Sequence, residues 1–236
     1  MQKAQLFLFH FAGGNVYSFN TITPRLKHLE VIPLELPGRG RRIQERLLKD
    51  FDLAAKDLYN QVVPKLNGAP LLIYGHSMGA YLALRVTRML EQAGLPPAYL
   101  IVSGNPGPGV PRKRPGKRYL LGKAAFIEEL RTLGGVPEEV FQDQELFGFF
   151  EPILRADFQI AEAEGLEHEP PVAAPLYALM GSEEENVERI ANWGRFTRSD
   201  FRSEVLEGNH FFIHKHPERM ADVFKACYDR LGRRGV

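Results

Sequence analysis

The chain has 236 residues, 44% of them hydrophobic, and a formal net charge of +1 from 30 basic and 29 acidic residues. This length and composition are enough to bury one large core, and we predict a single domain over residues 1–236. A chain so close to neutral has no overall field to attract nucleic acid or a membrane surface, so we expect neither as a partner.

The only cysteine, Cys227, excludes an internal disulfide and a cysteine-based metal site, and it favours a reducing compartment. It lies among apolar residues at helical spacing, which predicts a packing role. The apolar run at 6–11 is too short for a signal peptide, and no stretch approaches the roughly 20 apolar residues of a membrane span. We therefore expect a cytoplasmic protein, and we expect it to be a monomer.

The first half of the chain alternates between apolar runs and helical patterns. In chain order we predict a strand at 5–11, a helix around 18–28, a strand at 31–36, a helix capped by Asp52 that ends near 67, a strand from 71, a helix to about 93 and a strand at 99–103. Neighbouring parallel strands need crossovers of this length, so the pattern predicts an α/β fold with a mainly parallel central sheet flanked by helices.

The alternation stops after Asn105 and resumes near 175 with a strand, a further strand at 203–206 and a helix from Pro217 to about 231. The intervening stretch carries six of the 16 phenylalanines without a strand pattern. We interpret residues 112–170, approximately, as a helical lid inserted between two strands, with two or three of its aromatic rings lining an apolar channel.

The most informative motif is Gly75-His76-Ser77-Met78-Gly79, which follows an apolar run and precedes a helical pattern. A Gly-x-Ser-x-Gly sequence in this context is typical of the nucleophile elbow of α/β-hydrolases, a sharp turn that presents the serine hydroxyl. The two glycines are required because side chains on either side of such a turn would collide. Ser77 is therefore the predicted nucleophile.

A serine nucleophile needs a base, and that base needs a carboxylate to orient it. His210 directly follows the last predicted strand and is the best candidate for the base, with His214 second. The carboxylate should come from the loop after Met180, which contains no aspartate. Glu183, Glu184 and Glu185 all remain candidates on this reasoning.

Several motifs, in order along almost the whole chain, resemble those of the type II thioesterases that accompany nonribosomal peptide and polyketide synthases. They are Phe9-His10-Phe11-Ala12-Gly13-Gly14, Leu36-Pro37-Gly38-Arg39-Gly40-Arg41 with Glu45, the elbow at 75–79, Val102-Ser103-Gly104, Leu154-Arg155-Ala156-Asp157-Phe158 with Glu162, Gly181 with Val187 and Trp193, and Gly208-Asn209-His210-Phe211-Phe212. Each motif is weak alone, but the ordered set is specific.

The resemblance implies that Ser77 is the nucleophile, that His210 is the base, and that the main-chain N–H groups of Ala12 and Met78 form the oxyanion hole. It places Glu184 where the family has an aspartate, and Glu183 and Glu185 stay open because the longer side chain must retract or the loop must shift. Other departures are His10 in place of proline and Asn209 in place of glycine. Asp157 is interpreted as structural.

The resemblance also implies a partner, an acyl or peptidyl carrier protein with an acidic surface and a phosphopantetheine arm. Two basic clusters are the expected contacts: Arg39, Arg41 and Arg42, and Arg112, Lys113 and Arg114 with Lys117 and Arg118. Neither a metal nor a cofactor is expected.

The predicted function is that of a stand-alone editing thioesterase, which hydrolyses acyl or aminoacyl thioesters on carrier proteins through an acyl-serine intermediate. An acyltransferase that passes the acyl group to another acceptor is the first alternative. A non-catalytic binding protein with the same fold is the alternative of another class.

Overall fold

The computed structural model describes residues 2–113 and 116–233, with side chains up to 230. Its six strands are β1 Gln5–Phe9, β2 Glu30–Leu34, β3 Leu71–His76, β4 Tyr99–Ser103, β5 Leu176–Gly181 and β6 Phe201–Leu206. Its α-helices are α1 Phe51–Val62, α2 Met78–Gln92, α3 Lys123–Leu133, α4 Glu138–Gln142, α5 Gln144–Ala161 and α6 Pro217–Arg233.

The strands form one sheet in the order β2-β1-β3-β4-β5-β6, and every neighbouring pair is parallel. Alternate residues of each strand point to opposite faces of the sheet. In β1, Phe7 and Phe9 belong to one buried core, whereas Leu6 and Leu8 belong to another. The predicted α/β fold with a parallel sheet covered by helices is confirmed.

Two details of the first half differ from the sequence prediction. Residues 18–28 form turns and a short 3₁₀ helix at Thr23–Arg25 rather than an α-helix, because Pro24, in the middle of the predicted helix, has no N–H to donate and its ring would clash with the preceding turn. The next helix is capped by Asp50, whose carboxylate accepts a hydrogen bond from Leu53 N at 2.8 Å. Asp52, the predicted cap, instead pairs with Arg85 on α2.

The segment after β5 agrees with the predicted loop. Residues 182–185 form a turn, and the helix that follows is a 3₁₀ helix at Val187–Phe196. Asn186 precedes that helix in the left-handed conformation, with φ of +61°. This residue redirects the chain, so the three glutamates before it lie in a loop.

Helices α3, α4 and α5 lie between β4 and β5, within the segment predicted as a lid. They share a small apolar core of their own, in which Phe126, Phe147 and Phe158 are buried, whereas Phe149 is 53% exposed. Within the described ranges, no helix is both long and apolar enough to cross a membrane. Two interpretations of the sequence remain predictions: a single domain over residues 1–236, and a lid at about 112–170.

A buried ion pair ties α5 to two loops at the carboxyl edge of the sheet. Asp157 on α5 accepts hydrogen bonds from both terminal nitrogens of Arg39, at 2.5 and 2.7 Å, and from Gly13 N at 2.7 Å. Arg39 also donates to Gly14 O at 3.3 Å. Both charged side chains are buried, with 4% of Arg39 and none of Asp157 exposed. Arg39 is thus not part of an exposed basic cluster, and the expected partner contact at this residue is wrong.

His10 is a second buried polar residue at this edge, 2% exposed, in the loop after β1. Desolvation by burial, followed by the nearby Arg39 charge, lowers the pKa of His10 to about 4. The ring is therefore neutral at ordinary pH. The loops after β1 and β2 are thus held by hydrogen bonds to the buried side chains of His10, Arg39 and Asp157.

Removing one member of the buried pair should destabilise the fold. In Arg39→Met, the Asp157 carboxylate stays buried without its cation, and we expect the free energy of unfolding to fall by about 3 to 5 kcal/mol. Urea unfolding followed by circular dichroism measures this change. Lys225→Met, which breaks the exposed Lys225–Asp229 pair, is the control and should cost less than about 1 kcal/mol. Equal losses in both variants would contradict the assignment.

The depressed pKa of His10 predicts a specific acid sensitivity. Between pH 6.5 and about 4 the unfolded chain binds a proton that the folded chain does not, so stability falls as the pH is lowered through this window. We expect His10 to account for about 3 kcal/mol of that loss. Urea unfolding at several pH values should therefore show a shallower pH slope for His10→Asn than for the unsubstituted protein. Parallel slopes would contradict this.

Candidate active site

Ser77 occupies a strained turn between β3 and α2. Its backbone has φ of +56° and ψ of −116°, which a non-glycine residue adopts only when the surrounding structure enforces it. A Cβ on Gly75 would collide with the backbone of Gly79, and a Cβ on Gly79 would collide with Phe9 O. The two glycines are needed so that the turn can form against the end of β1.

His210 lies in the turn after β6, beside Ser77 in the chain's tertiary structure. Its ring centroid is 4.9 Å from that of His76, the residue before Ser77. Its Nδ1 is hydrogen-bonded to Glu184 Oε2 at 2.6 Å, so Nε2 is the ring nitrogen that this carboxylate leaves free. In the described chain no hydrogen bond joins Ser77 Oγ to His210, and such bonds commonly tighten only when substrate binds.

Of the three candidate carboxylates, Glu184 is the one that meets His210. Its other oxygen, Oε1, accepts a hydrogen bond from Gly181 N at 2.8 Å, so the longer side chain folds back toward the end of β5. Gly181 must lack a side chain there, since a Cβ would strike the backbone of 208–209. Glu183 is exposed, and Glu185 accepts a hydrogen bond from Lys113 N instead.

His214, the second choice for the base, pairs with no carboxylate in the described chain. Its ring stacks parallel to that of Phe211 at 6.2 Å, and its Nδ1 lies 3.3 Å from Thr21 Oγ1. Burial lowers its pKa. Its contacts are thus those of a packing residue next to His210.

The two main-chain N–H groups expected to form the oxyanion hole come from different segments. Met78 is the first residue of α2, so its N–H has no acceptor within the helix. Ala12 lies just beyond β1, which is paired with β3 so that Phe9 is opposite Gly75. Both residues therefore follow the carboxyl ends of neighbouring parallel strands.

Three polar residues support the elbow, and we did not predict this role for them from the sequence. Ser77 N donates to Ser103 O at 2.7 Å, and Asn105 Nδ2 donates to Ser77 O at 2.9 Å. Ser103 Oγ is also hydrogen-bonded to His76 Nδ1 at 2.8 Å and to the Tyr74 hydroxyl at 2.7 Å. The signal that could have found two of them is position, because Ser103 ends β4, the strand next to β3, and Asn105 follows it.

His76 itself is fully buried and faces away from the serine side of the turn, toward Ser103. Burial, and after it the proximity of His210, lowers its pKa well below the usual range. The ring is therefore neutral and acts as part of the floor beneath His210.

An apolar cavity of about 120 Å³ opens beside the expected oxyanion loop. Its walls come from that loop, from the helices inserted between β4 and β5 and from the residue after His210. The lining residues are Phe11, Ala12, Gly13, Leu130, Leu133, Gly134, Gly135, Val136, Pro137, Val140, Phe150, Leu154, Phe158 and Phe211. Because none of these side chains is polar, the cavity suits a hydrocarbon chain rather than a charged group.

The remaining expected partner contacts differ in their surroundings. Arg42 binds Glu45 and Asp57, and Arg112 is paired with Glu162 at 3.3 Å. Arg41 and Lys113 are exposed. Arg114 lies outside the described residues.

Comparison with known proteins identifies the family. The family model described as a thioesterase domain matches residues 4–228. Linear gramicidin dehydrogenase LgrE of Brevibacillus parabrevis is 32% identical in an alignment of 241 positions that covers 98% of this chain and 90% of LgrE.

Two solved structures are similar over nearly the whole chain. ClbQ from the colibactin pathway of nonribosomal peptide and polyketide synthases has a TM-score of 0.86 and 27% identity, over 98% of this chain and 99% of ClbQ. YbtT, a type II thioesterase of the yersiniabactin pathway, has a TM-score of 0.84 and 31% identity, over 95% of this chain and 91% of YbtT. The fold is that of the α/β-hydrolases, and the chain belongs to the thioesterase domain family.

Proposed function

We propose that this enzyme is a stand-alone editing thioesterase that hydrolyses acyl thioesters on the phosphopantetheine arm of carrier proteins. The observation that carries the proposal is the 2.6 Å hydrogen bond between His210 and Glu184 beside the strained Ser77. The thioesterase family and the synthase pathways of ClbQ and YbtT support the substrate class. LgrE is named a dehydrogenase, but we do not propose that activity for this chain. Ser77, His210 and Glu184 are the residue types of a hydrolase triad.

In the first half of the reaction, Ser77 Oγ attacks the thioester carbonyl while His210 Nε2 takes its proton. Glu184 holds the ring so that Nε2 faces the serine and stabilises the imidazolium that forms. The negative charge on the carbonyl oxygen is stabilised by the N–H groups of Ala12 and Met78. Collapse of the intermediate breaks the C–S bond, and the proton on His210 passes to the departing thiolate.

In the second half, His210 removes a proton from water, which attacks the acyl-serine through the same oxyanion hole. Breaking the C–O bond returns the proton to Ser77 Oγ and releases a carboxylic acid. These steps use only groups of the chain and water, and we propose that neither a metal nor a cofactor takes part.

We assign the cavity beside Ala12 to the acyl chain. Its lining is apolar throughout. It would leave the ammonium group of an aminoacyl chain without a partner, which is costly in a buried site. We therefore propose aliphatic acyl groups as the preferred substrates.

The carrier protein would be contacted through exposed basic side chains. Arg41 and Lys113 are the exposed members of the two basic clusters, whereas Arg42 and Arg112 already have carboxylate partners. Electrostatic contacts of this kind mainly raise the rate of association and are weakened by salt. Activity in the cytoplasm and as a monomer are parts of the same proposal, and the buried free thiol of Cys227 agrees with a reducing compartment.

Time-resolved mass spectrometry of a butyryl-loaded carrier protein tests the function. We expect free butyrate and deacylated carrier at equal rates, with a transient butyryl adduct on Ser77. In Ser77→Ala, turnover should fall by at least about a thousandfold, because the nucleophile is missing. Ser203→Ala, which removes the hydroxyl of an exposed serine on β6, is the matched control and should be unaffected.

Two outcomes would replace the proposal by an alternative. Transfer of the butyryl group to an added thiol or amine with little free acid would show an acyltransferase. Unchanged turnover in Ser77→Ala, together with tight carrier binding, would show a non-catalytic binding protein.

The glutamate assignment predicts a pattern across three isosteric variants. Glu184→Gln keeps the size of the side chain but loses the charge beside His210 Nδ1, and we expect kcat to fall by about two to four orders of magnitude. Glu183→Gln and Glu185→Gln should stay near the unsubstituted rate, because neither carboxylate contacts His210 in the described chain. Steady-state hydrolysis measures all three. If Glu184→Gln alone retained activity, the assignment would be wrong.

The acyl-site assignment predicts a shift in chain-length preference. Val140 is buried in the cavity wall. Val140→Phe should reduce kcat/KM for butyryl-carrier while sparing acetyl-carrier, because the added ring takes up the far end of the cavity. Val140→Ala should extend the range toward hexanoyl. A uniform loss across the acyl panel in both variants would contradict the assignment.

A further inference from the structure

The peptide bond between Phe11 and Ala12 is held by two hydrogen bonds to its carbonyl oxygen. His10 Nδ1 lies 2.8 Å from Phe11 O, and Gly14 N donates to the same oxygen at 2.9 Å. Gly14 can approach so closely because it has no side chain, as a Cβ there would lie 2.9 Å from His10 Cβ. The carbonyl is therefore fixed from the inner side of the loop.

Fixing this carbonyl also fixes the N–H of Ala12. In a trans peptide the C=O and N–H groups lie in one plane and point in opposite directions. No cis peptide occurs in the described chain. The two bonds to Phe11 O thus turn the Ala12 N–H outward, away from His10, and this N–H is one of the two oxyanion donors proposed above.

The protonation state of His10 suits this task. Leu36 N donates to His10 Nε2 at 3.3 Å, so Nε2 must be the acceptor and Nδ1 must carry the proton that is donated to Phe11 O. The ring is neutral over the working range, because burial and Arg39 lower its pKa to about 4. One buried imidazole therefore connects the loop after β2 with the loop after β1.

We propose that His10 is a positioning residue for the oxyanion hole: its Nδ1–H orients the Phe11–Ala12 peptide so that the Ala12 N–H meets the developing oxyanion. This inference rests on the proposed function, since it needs a thioester carbonyl at Ser77. It gives His10 a role in the reaction although its side chain contacts neither the substrate nor Ser77.

Two substitutions separate the two hydrogen bonds of His10. Asparagine has an amide nitrogen where histidine has Nδ1, so His10→Asn retains the donor to Phe11 O and loses the acceptor for Leu36 N. Glutamine has an amide oxygen near the position of Nε2, so His10→Gln retains the Leu36 contact and loses the donor to Phe11 O. Both variants lose one buried hydrogen bond, and their stabilities should be similar.

Their kinetics should differ. We expect kcat for butyryl-carrier to fall about tenfold in His10→Gln with little change in KM, because the donor acts in the transition state and is misaligned rather than removed. His10→Asn should stay close to the unsubstituted kcat. The affinity for propyl trifluoromethyl ketone, which forms an oxyanion adduct with Ser77, should fall in His10→Gln by the same factor as kcat/KM, whereas the affinity for butyrate should not.

Equal kcat values in the two variants, whether both are lowered or both are unchanged, would overturn the proposal, because a purely structural histidine would show that result. An unsubstituted protein without thioester turnover would instead overturn the proposed function. If either variant fails to fold, ¹⁵N NMR of the unsubstituted protein decides. The proposal requires the Nδ1-protonated tautomer at His10, and the Nε2-protonated tautomer would overturn it.

Discussion

The backbone turn at Ser77 is the constraint on which the rest of the structure depends. A positive φ at a serine is unfavourable, and it persists only because neighbouring groups enforce it. The enforcing groups come from the ends of two strands: Phe9 O at the end of β1 packs against Gly79, Ser103 O at the end of β4 accepts from Ser77 N, and Asn105 just after β4 holds Ser77 O. The parallel sheet brings the ends of β1, β3 and β4 to one edge, so the fold maintains the strain.

The donors and bases around this turn are held by groups excluded from water. Asp157 and Arg39 fix the backbone of Gly13 and Gly14, and His10 fixes the carbonyl of Phe11. Hydrogen bonds are electrostatically stronger in such a buried site than in water, so they favour a single arrangement of these loops. The same helix that supplies Asp157 also supplies Leu154 to the wall of the cavity. Helix α5 therefore links the inserted helices to the loop after β1.

The patterns that were short-range in the sequence predicted the structure well. The elbow, all six strand positions to within two residues and the parallel sheet followed from apolar periodicity and glycine placement, because those depend on neighbours in the chain. The helix at 18–28 and the cap at Asp52 were wrong for a local reason as well: Pro24 interrupts an α-helix in its interior, and Asp50 is the residue that caps α1. Arg39 was wrongly predicted to be exposed, because the sequence does not show which member of a cluster of arginines is buried.

Sequence alone determined the chemistry available to this chain: one serine on a glycine-flanked turn, a histidine after the last strand and three adjacent glutamates. It could not choose among those glutamates, because residues 183–185 differ by one position each and any could approach His210 if the loop moved. Tertiary structure singled out Glu184, since Gly181 N holds one carboxylate oxygen and thereby directs the other to His210. It also revealed the buried residues Arg39, Asp157 and His10. Their hydrogen bonds join residues that are 26 to 144 positions apart in the sequence, so they depend on the tertiary fold rather than on any local pattern.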